Sequence, residues 1–224
     1  MTDLADLEWR DGGVPVSTRF EDPYYSLEDG LAETRHVFLA GNGLPERFCD
    51  GFHVGELGFG TGLNLLASIA AWRAAGIGGV LRFTSFEAYP MGAEDMIRAQ
   101  AGFPELAGIA DTLAAHWRRG AQVITLPELE FRLILGDARE TLPAWQGCAD
   151  AWFLDGFSPA KNPALWEDGL MGEVAAHTAP YGTAATYTAA GFVRRGLAAA
   201  GFEVERIPGY GRKRHMTRAR KGTR

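Results

Sequence analysis

Residues 52–67, FHVGELGFGTGLNLLA, are the stretch from which the fold of this chain is read. An apolar run ends at Glu56 and Leu57, the pattern of a strand buried on both faces. Gly58, Gly60 and Gly62 then alternate with Phe59 and Thr61. Glycine adopts positive φ without strain and holds no side chain between backbone and ligand. From about Leu63 the period becomes helical, with Leu65, Leu66, Ile69 and Ala70 recurring on one side. Strand, glycine turn and helix in that order build the nucleotide-cofactor crevice of an open α/β sheet. GFGTG only partly matches the GxGxxG fingerprint, and it lacks the Lys-Ser/Thr pair of a phosphate-binding Walker loop. A glycine cluster alone is equally a structural turn. Its place between a buried strand and a helix makes it a candidate cofactor loop.

Downstream, the pattern repeats. The helix is predicted to end at Gly76, and VLRFTSFEA supplies a second strand with Glu87 at its carboxyl end. A carboxylate there suits two ribose hydroxyls. It lies 25 residues past Gly62, against the usual spacing of about 20, and a helix cap is the alternative. Residues 92–119 read as a helical insertion broken near Gly102-Phe103-Pro104, with the cluster Trp117-Arg118-Arg119 left open between surface and substrate contact. FRLILGDARETL gives a third strand ending at Gly136-Asp137. Asp137 either accepts from a base amine or caps the following helix. The run Ala151 to Leu154 is a fourth strand, which places Asp155 in the crevice, unless Asp155-Gly156 is only a turn signal. A loop with Phe157, Lys161 and Asn162 follows, suited to a flat polar substrate. Strand, helix from about Ala189, strand and final strand close the chain. His215 among arginines reads as a surface residue.

Residues 1–50 carry no βαβ pattern. DPYYSLEDGLAETRHVFL looks like an extended entrance and a short helix, and its concentration of Tyr24, Tyr25, Glu33, Arg35 and His36 is unusual for padding. This segment is expected as an extension over the pocket, with residues 51–224 forming the main domain. A chain of 224 residues buries roughly 70% of its unfolded surface in one core. Cys49 and Cys148 have no spacing partner, which argues against a disulfide framework and a zinc site; no metal is expected. No leading basic-apolar segment or bilayer-length run is seen, so a soluble protein of the reducing cytoplasm is expected, with no membrane partner. Charge is uneven. Residues 194–224 hold 10 Lys or Arg and 2 Asp or Glu, leaving the rest of the chain 12 against 26. Such a basic edge suggests an anionic partner such as nucleic acid, or a solubilising tail.

Taken together, DPYYSLEDGLAETRHVFLAGNGLPERF, GELGFGTGLN, SFEAYP, WFLDGFSPAKNPALW, TYTAAGFVRRGLAAAGF and GYGRKRHM resemble class I S-adenosylmethionine-dependent methyltransferases. More narrowly, they resemble the methyltransferase part of the bifunctional proteins that make 5-methylaminomethyl-2-thiouridine at the tRNA wobble position. The resemblance implies a Rossmann-like, doubly wound, mostly parallel sheet with helices on both faces. It implies S-adenosyl-L-methionine as cofactor, held by Glu56, Gly58, Phe59, Gly60, Thr61, Gly62, Asn64 and Glu87, with Asp137 and Ala138 near its adenine. Asp155 would face both the cofactor and the amine to be methylated, as the catalytic residue. Tyr24, Tyr25, Phe157 and Lys161 would contact the substrate, and Arg212, Lys213 and Arg214 its phosphates. The relatives also carry a flavin-dependent oxidase domain. No second glycine fingerprint occurs here, so a standalone form is expected, fed aminomethyluridine-tRNA by another enzyme. The tRNA anticodon region is the expected partner. A small-molecule amine methyltransferase of this fold and a non-catalytic RNA-binding module are the alternatives. Local departures, FSPAK for FAPAK and His215 in the basic motif, look conservative.

Overall fold

The computed structural model describes residues 3–10, 13–26 and 29–222. Leu27 and Glu28 of the first motif lie outside the described residues. In chain order the elements are β1 (Leu7–Trp9), β2 (Pro15–Ser17), β3 (Asp22–Pro23), α1 (Gly30–Thr34), β4 (His53–Leu57), α2 (Leu63–Ala75) and β5 (Leu81–Glu87). They continue with α3 (Ala93–Gln100), α4 (Ala107–Arg118), β6 (Val123–Leu126), β7 (Leu129–Leu135), α5 (Ala138–Ala144) and β8 (Ala149–Leu154). The last are α6 (Asp168–Ala176), β9 (Thr178–Thr186), α7 (Gly191–Ala199), β10 (Phe202–Pro208) and β11 (His215–Lys221).

The main sheet has the order β10-β11-β9-β8-β4-β5-β7-β6 among the described residues. Pairings β8 with β9, β8 with β4, β4 with β5 and β5 with β7 are parallel, and β6 with β7, β11 with β9 and β10 with β11 are antiparallel. Successive strands from β4 travel outward through β5 and β7, then return to β8 on the other side. The strand order therefore reverses between β4 and β8, the place where open sheets bind ligands.

Period-two alternation sorts each central strand between two cores. Val54, Phe83, Phe131 and Phe153 face one side with Leu65 and Ile69 of α2, Met96 of α3, and Leu113 and Trp117 of α4. Leu57, Phe86, Trp152 and Leu154 face the other with Leu142 of α5, Leu170 of α6, and Val193 and Leu197 of α7. Gly55 is small because Trp152 lies across it: a Cβ would meet that ring at 2.8 Å. The doubly wound fold expected from the sequence is present, with helices on both faces.

Two regions differ from expectation. The strand after the insertion is the second arm of a hairpin, with β6 paired antiparallel to β7. β6 was unreadable because it is a short edge strand with Val123 exposed and Pro127 interrupts the alternation. The extended entrance is a small antiparallel sheet, β1-β2-β3, from strands of two or three residues that leave no periodic signal. Beyond it, α1 runs directly into a wide, π-helical turn over Arg35–Leu39 and a tight turn over Ala40–Asn42. Val37, Phe38, Leu39, Leu44 and Phe48 then join the core of the main sheet.

Candidate active site

At the carboxyl ends of β4, β5 and β8 lies a cavity of about 590 Å³, within the range of small-molecule and cofactor sites. The glycine turn forms its floor. Gly58 has φ +90°, and a Cβ there would sit 2.4 Å from the carbonyl oxygen of Asp155. Only glycine lets the two strand ends approach so closely. The amide of Gly58 donates to Phe86 O at 2.9 Å and that of Asp155 to Leu57 O at 3.0 Å, clamping the turn between β5 and β8. Gly60, at φ +53°, faces Tyr24, which a Cβ would meet at 3.0 Å. From α3, buried Gln100 donates to Thr61 O at 2.8 Å. The insertion thus braces the turn from behind.

Glu87 ends β5 and lines the cavity. Its carboxylate accepts from Gly60 N at 3.0 Å and Tyr89 N at 2.9 Å. Burial raises its pKa, opposed by those amide donors. A carboxylate oxygen accepts more than one hydrogen bond, so Glu87 at the cavity wall suits a ribose diol.

A chain of polar side chains runs from the floor to the far wall. Asn64 on the first turn of α2 donates from Nδ2 to Glu56 Oε1 at 2.8 Å and to Asp155 Oδ2 at 2.7 Å. Its Oδ1 accepts from Thr34 Oγ1 at 3.0 Å, which fixes the amide orientation. Glu56 also accepts from Ser85 Oγ at 2.6 Å. Burial lifts Glu56 well above the usual carboxylate range, against the hydrogen bonds from Ser85 and Asn64. Asp155 lines the cavity with its pKa pushed up to about 7. Burial is the main cause and the charge of Glu33 adds to it, while the bond from Asn64 and the charge of Lys213 act the other way. Lys213 Nζ pairs with Glu33 Oε1 at 2.7 Å and sits 4.0 Å from the Tyr187 ring centroid.

Of the residues singled out from the sequence, Tyr24, Tyr25, Gly58, Phe59, Gly60, Thr61, Asn64, Glu87, Asp137, Asp155, Phe157 and Lys213 line the cavity. Others do not. Glu56 is fully buried behind Asn64, where it orients that amide. Gly62 is turned toward Phe59 and Gln100, and Ala138 packs into the core with Leu142. Lys161 donates to the backbone oxygen of Glu21 and lies 3.5 Å from Asp22 Oδ1, so it ties the loop after β8 to the tip of the small sheet. Arg212 and Arg214 lie outside the cavity, in the connection from β10 to β11.

Several roles also shift. Asp137 caps α5 through Arg139 N at 2.9 Å and pairs with the Arg139 side chain at 2.6 Å. The capping alternative is therefore in place, and the neighbouring guanidinium lowers the pKa of Asp137. The Phe157 ring stacks on Phe20 at 4.8 Å and meets Tyr24 edge-on at 5.0 Å, so at least one face is already covered. Trp117 is buried against Phe59 and Phe131, and Arg118 pairs with Glu94. Lys213, expected at the phosphates, turns to Glu33. Thr34 and Tyr187 line the cavity without having been singled out. Tyr187 lies in TYTAAGF and donates to Gly156 O at 2.7 Å. Glu33 stood in the noted polar concentration, but nothing local marked Thr34.

A family model described as S-adenosyl-L-methionine-dependent methyltransferase matches residues 104–222. The chain is 52% identical over 223 residues to the tRNA 5-methylaminomethyl-2-thiouridine biosynthesis bifunctional protein MnmC of Caulobacter vibrioides, covering 96% of this chain and 38% of the relative. It is 46% identical over 229 residues to the protein of the same name from Aeromonas hydrophila, covering 95% of this chain and 34% of that one. The chain thus spans little more than a third of the length of these relatives. The crystal structure of MNMC2 from Aquifex aeolicus shares the fold at a TM-score of 0.78 and 24% identity, over 97% of this chain and 70% of that one. A sheet that reverses beside a glycine turn, a carboxylate at the end of the next strand and this degree of identity lead to one conclusion: the chain belongs to the S-adenosyl-L-methionine-dependent methyltransferases.

Proposed function

We propose that this chain transfers the methyl group of S-adenosyl-L-methionine to the amine of 5-aminomethyl(-2-thio)uridine at tRNA position 34, giving 5-methylaminomethyl(-2-thio)uridine. The observation that carries the proposal is Asp155, a carboxylate in the same cavity as Glu87 and the glycine turn. The names of the relatives support the substrate. When bound, the cofactor supplies an electrophilic sulfonium methyl. Gly58, Gly60 and Thr61 would hold its amino-acid end and Glu87 its ribose, with Asp137 and Arg139 at the adenine end.

The substrate amine needs a free lone pair. In water an alkylamine of this kind titrates near roughly 10.4 by analogy with lysine, and burial next to a cation lowers that value. Asp155 accepts a hydrogen bond from the amine and aims its lone pair at the methyl carbon. It also takes the proton lost on transfer, directly or through water. A carboxylate titrating about pH 7 is matched to that task. Asn64 holds Asp155 in place, and Lys213 neutralises Glu33 at the substrate wall. Most of the rate enhancement comes from holding nitrogen and methyl roughly 3–3.5 Å apart in line.

Residues 1–50 serve as an extension over the pocket and residues 51–224 as the transferase domain. The cytoplasm is the proposed site of action, with an upstream enzyme supplying aminomethyl-tRNA. Mass analysis of wobble nucleosides from cells lacking the gene tests this reading. Aminomethyluridine species should accumulate and methylaminomethyluridine should disappear. An unchanged nucleoside profile would remove the assignment.

A further inference from the structure

Six arginines, Arg35, Arg73, Arg82, Arg118, Arg139 and Arg218, pair with carboxylates. Arg194 on α7, Arg206 on β10 and Arg214 in the connection to β11 have no carboxylate within ion-pair distance among the described residues. The topology brings them together. β10 runs parallel to β9 because both are antiparallel to β11, so Pro208 ends β10 at the cavity edge of the sheet. The register Pro208 to His215 and Arg206 to Thr217 puts Arg206 and His215 on one face as diagonal neighbours. On that face α7 packs through Val193 and Leu197 against Phe202, Val204 and Ala219. The turn at Gly201 reverses the chain, so the first turn of α7, with Arg194, returns to the Pro208 end. The pKa of His215 is lowered, first by loss of hydration and then by the charges of Arg206, Arg214 and Arg194, consistent with three cations around one ring. Between this cluster and the cavity stands Lys213, next to Arg214 in the chain and on the cavity wall.

We infer that Arg194, Arg206 and Arg214 form a phosphate-binding surface that seats the RNA backbone beside the mouth of the cavity. This rests on the proposal that the substrate is RNA. Like charges gather without compensation only at a cost in self-repulsion, and a polyanion relieves it. The rest of the chain is strongly acidic, 12 basic against 26 acidic residues outside 194–224, and repels RNA elsewhere. Exposed Phe192, two residues before Arg194, offers an aromatic surface at the same edge. Lys213, already paired with Glu33, belongs to the cavity and not to this surface.

The test compares the full chain with a triple variant, Arg194→Gln, Arg206→Gln and Arg214→Gln, binding a fluorescent anticodon stem-loop RNA across a salt series. The slope of log affinity against log salt should shrink by roughly 2 to 3, about 0.7–0.9 for each lost phosphate contact. Affinity at fixed salt should fall by at least about tenfold, and the triple Lys variant should restore the slope. S-adenosylmethionine affinity reports that the Gln variant is folded. If that affinity is lost, Arg206→Gln alone should still reduce the slope by about 0.7–0.9. An unchanged slope in a folded variant, with the parent binding steeply, overturns this surface and leaves the substrate reading standing. A parent that binds RNA without salt dependence overturns both.

Discussion

At Asp155, burial and the charge of Glu33 act against Asn64 and Lys213, and their balance sets when the carboxylate can accept a proton. Asp155→Asn keeps the shape and an acceptor for Asn64 but removes the charge. Single-turnover methylation should fall at least about tenfold, roughly 1.4 kcal/mol in the barrier, with cofactor affinity little changed in calorimetry. Stability should move in the opposite direction. The pKa of Asp155 is raised from 3.8 to about 7, so its favourable contribution is full below pH 3.8 and is lost as pH rises through about 7. The variant should therefore gain in Tm over the parent as pH rises from 4 to 8. A variant that melts lower at pH 8 but turns over at the parent rate would reduce Asp155 to a turn cap. Lys213→Met removes the charge that holds the Asp155 pKa down, so the acid limb of the pH–rate profile should shift to higher pH. Lys213→Arg should keep it, and an unmoved limb in Lys213→Met would mean that Lys213 does not tune Asp155. Asp155 and Glu87 were legible because each ends an apolar strand. Glu33, Thr34 and Tyr187 reach the cavity through packing between segments distant in sequence, and the basic run around Lys213 concealed an inward-turned side chain.

The strand-turn-helix of β4 and α2 depends on elements its own sequence does not show. Gly60 has φ +53° and faces Tyr24, a conformation that costs a β-branched residue about 1–3 kcal/mol. Gly60→Val should weaken S-adenosylmethionine binding at least about tenfold, about 1.4 kcal/mol, while far-UV circular dichroism stays close to the parent. Near-normal affinity would take this turn out of the site. Behind it, Gln100→Leu leaves Thr61 O without its donor, a loss of about 1–3 kcal/mol for a buried group. With that cost falling on the bound state of the turn, calorimetry should show cofactor affinity reduced by about fivefold or more. Unchanged affinity with lowered Tm would make Gln100 a support of the fold alone. The long central elements were readable because their periods are unbroken over five residues or more. β6 and the small N-terminal sheet were not, since strands of two to four residues at an edge carry too little alternation to stand out. The brace from α3 was hidden for another reason: a glutamine in a helix gives no sign of which carbonyl it reaches.

For the molecule as a whole, shape and charge divide the work. The reversal of strand order between β4 and β8 makes the crevice, the N-terminal segment walls it, and the basic edge at α7, β10 and β11 lies beside it. An acidic body with one basic border would orient a polyanion as well as attract it. The charge asymmetry was visible in the sequence, but the register of β10 on β11 and the chain reversal at Gly201 are what bring Arg194, Arg206 and His215 to one end. The role proposed for Asp155 requires that the amine it faces be carried by RNA. The direct measurement supplies the purified chain with labelled S-adenosylmethionine and tRNA bearing 5-aminomethyluridine, then digests the RNA and identifies the labelled nucleoside by mass. Label should appear in 5-methylaminomethyluridine alone, and at least about tenfold more slowly with Asp155→Asn. Label passing to free alkylamines while the tRNA stays unmethylated would contradict it.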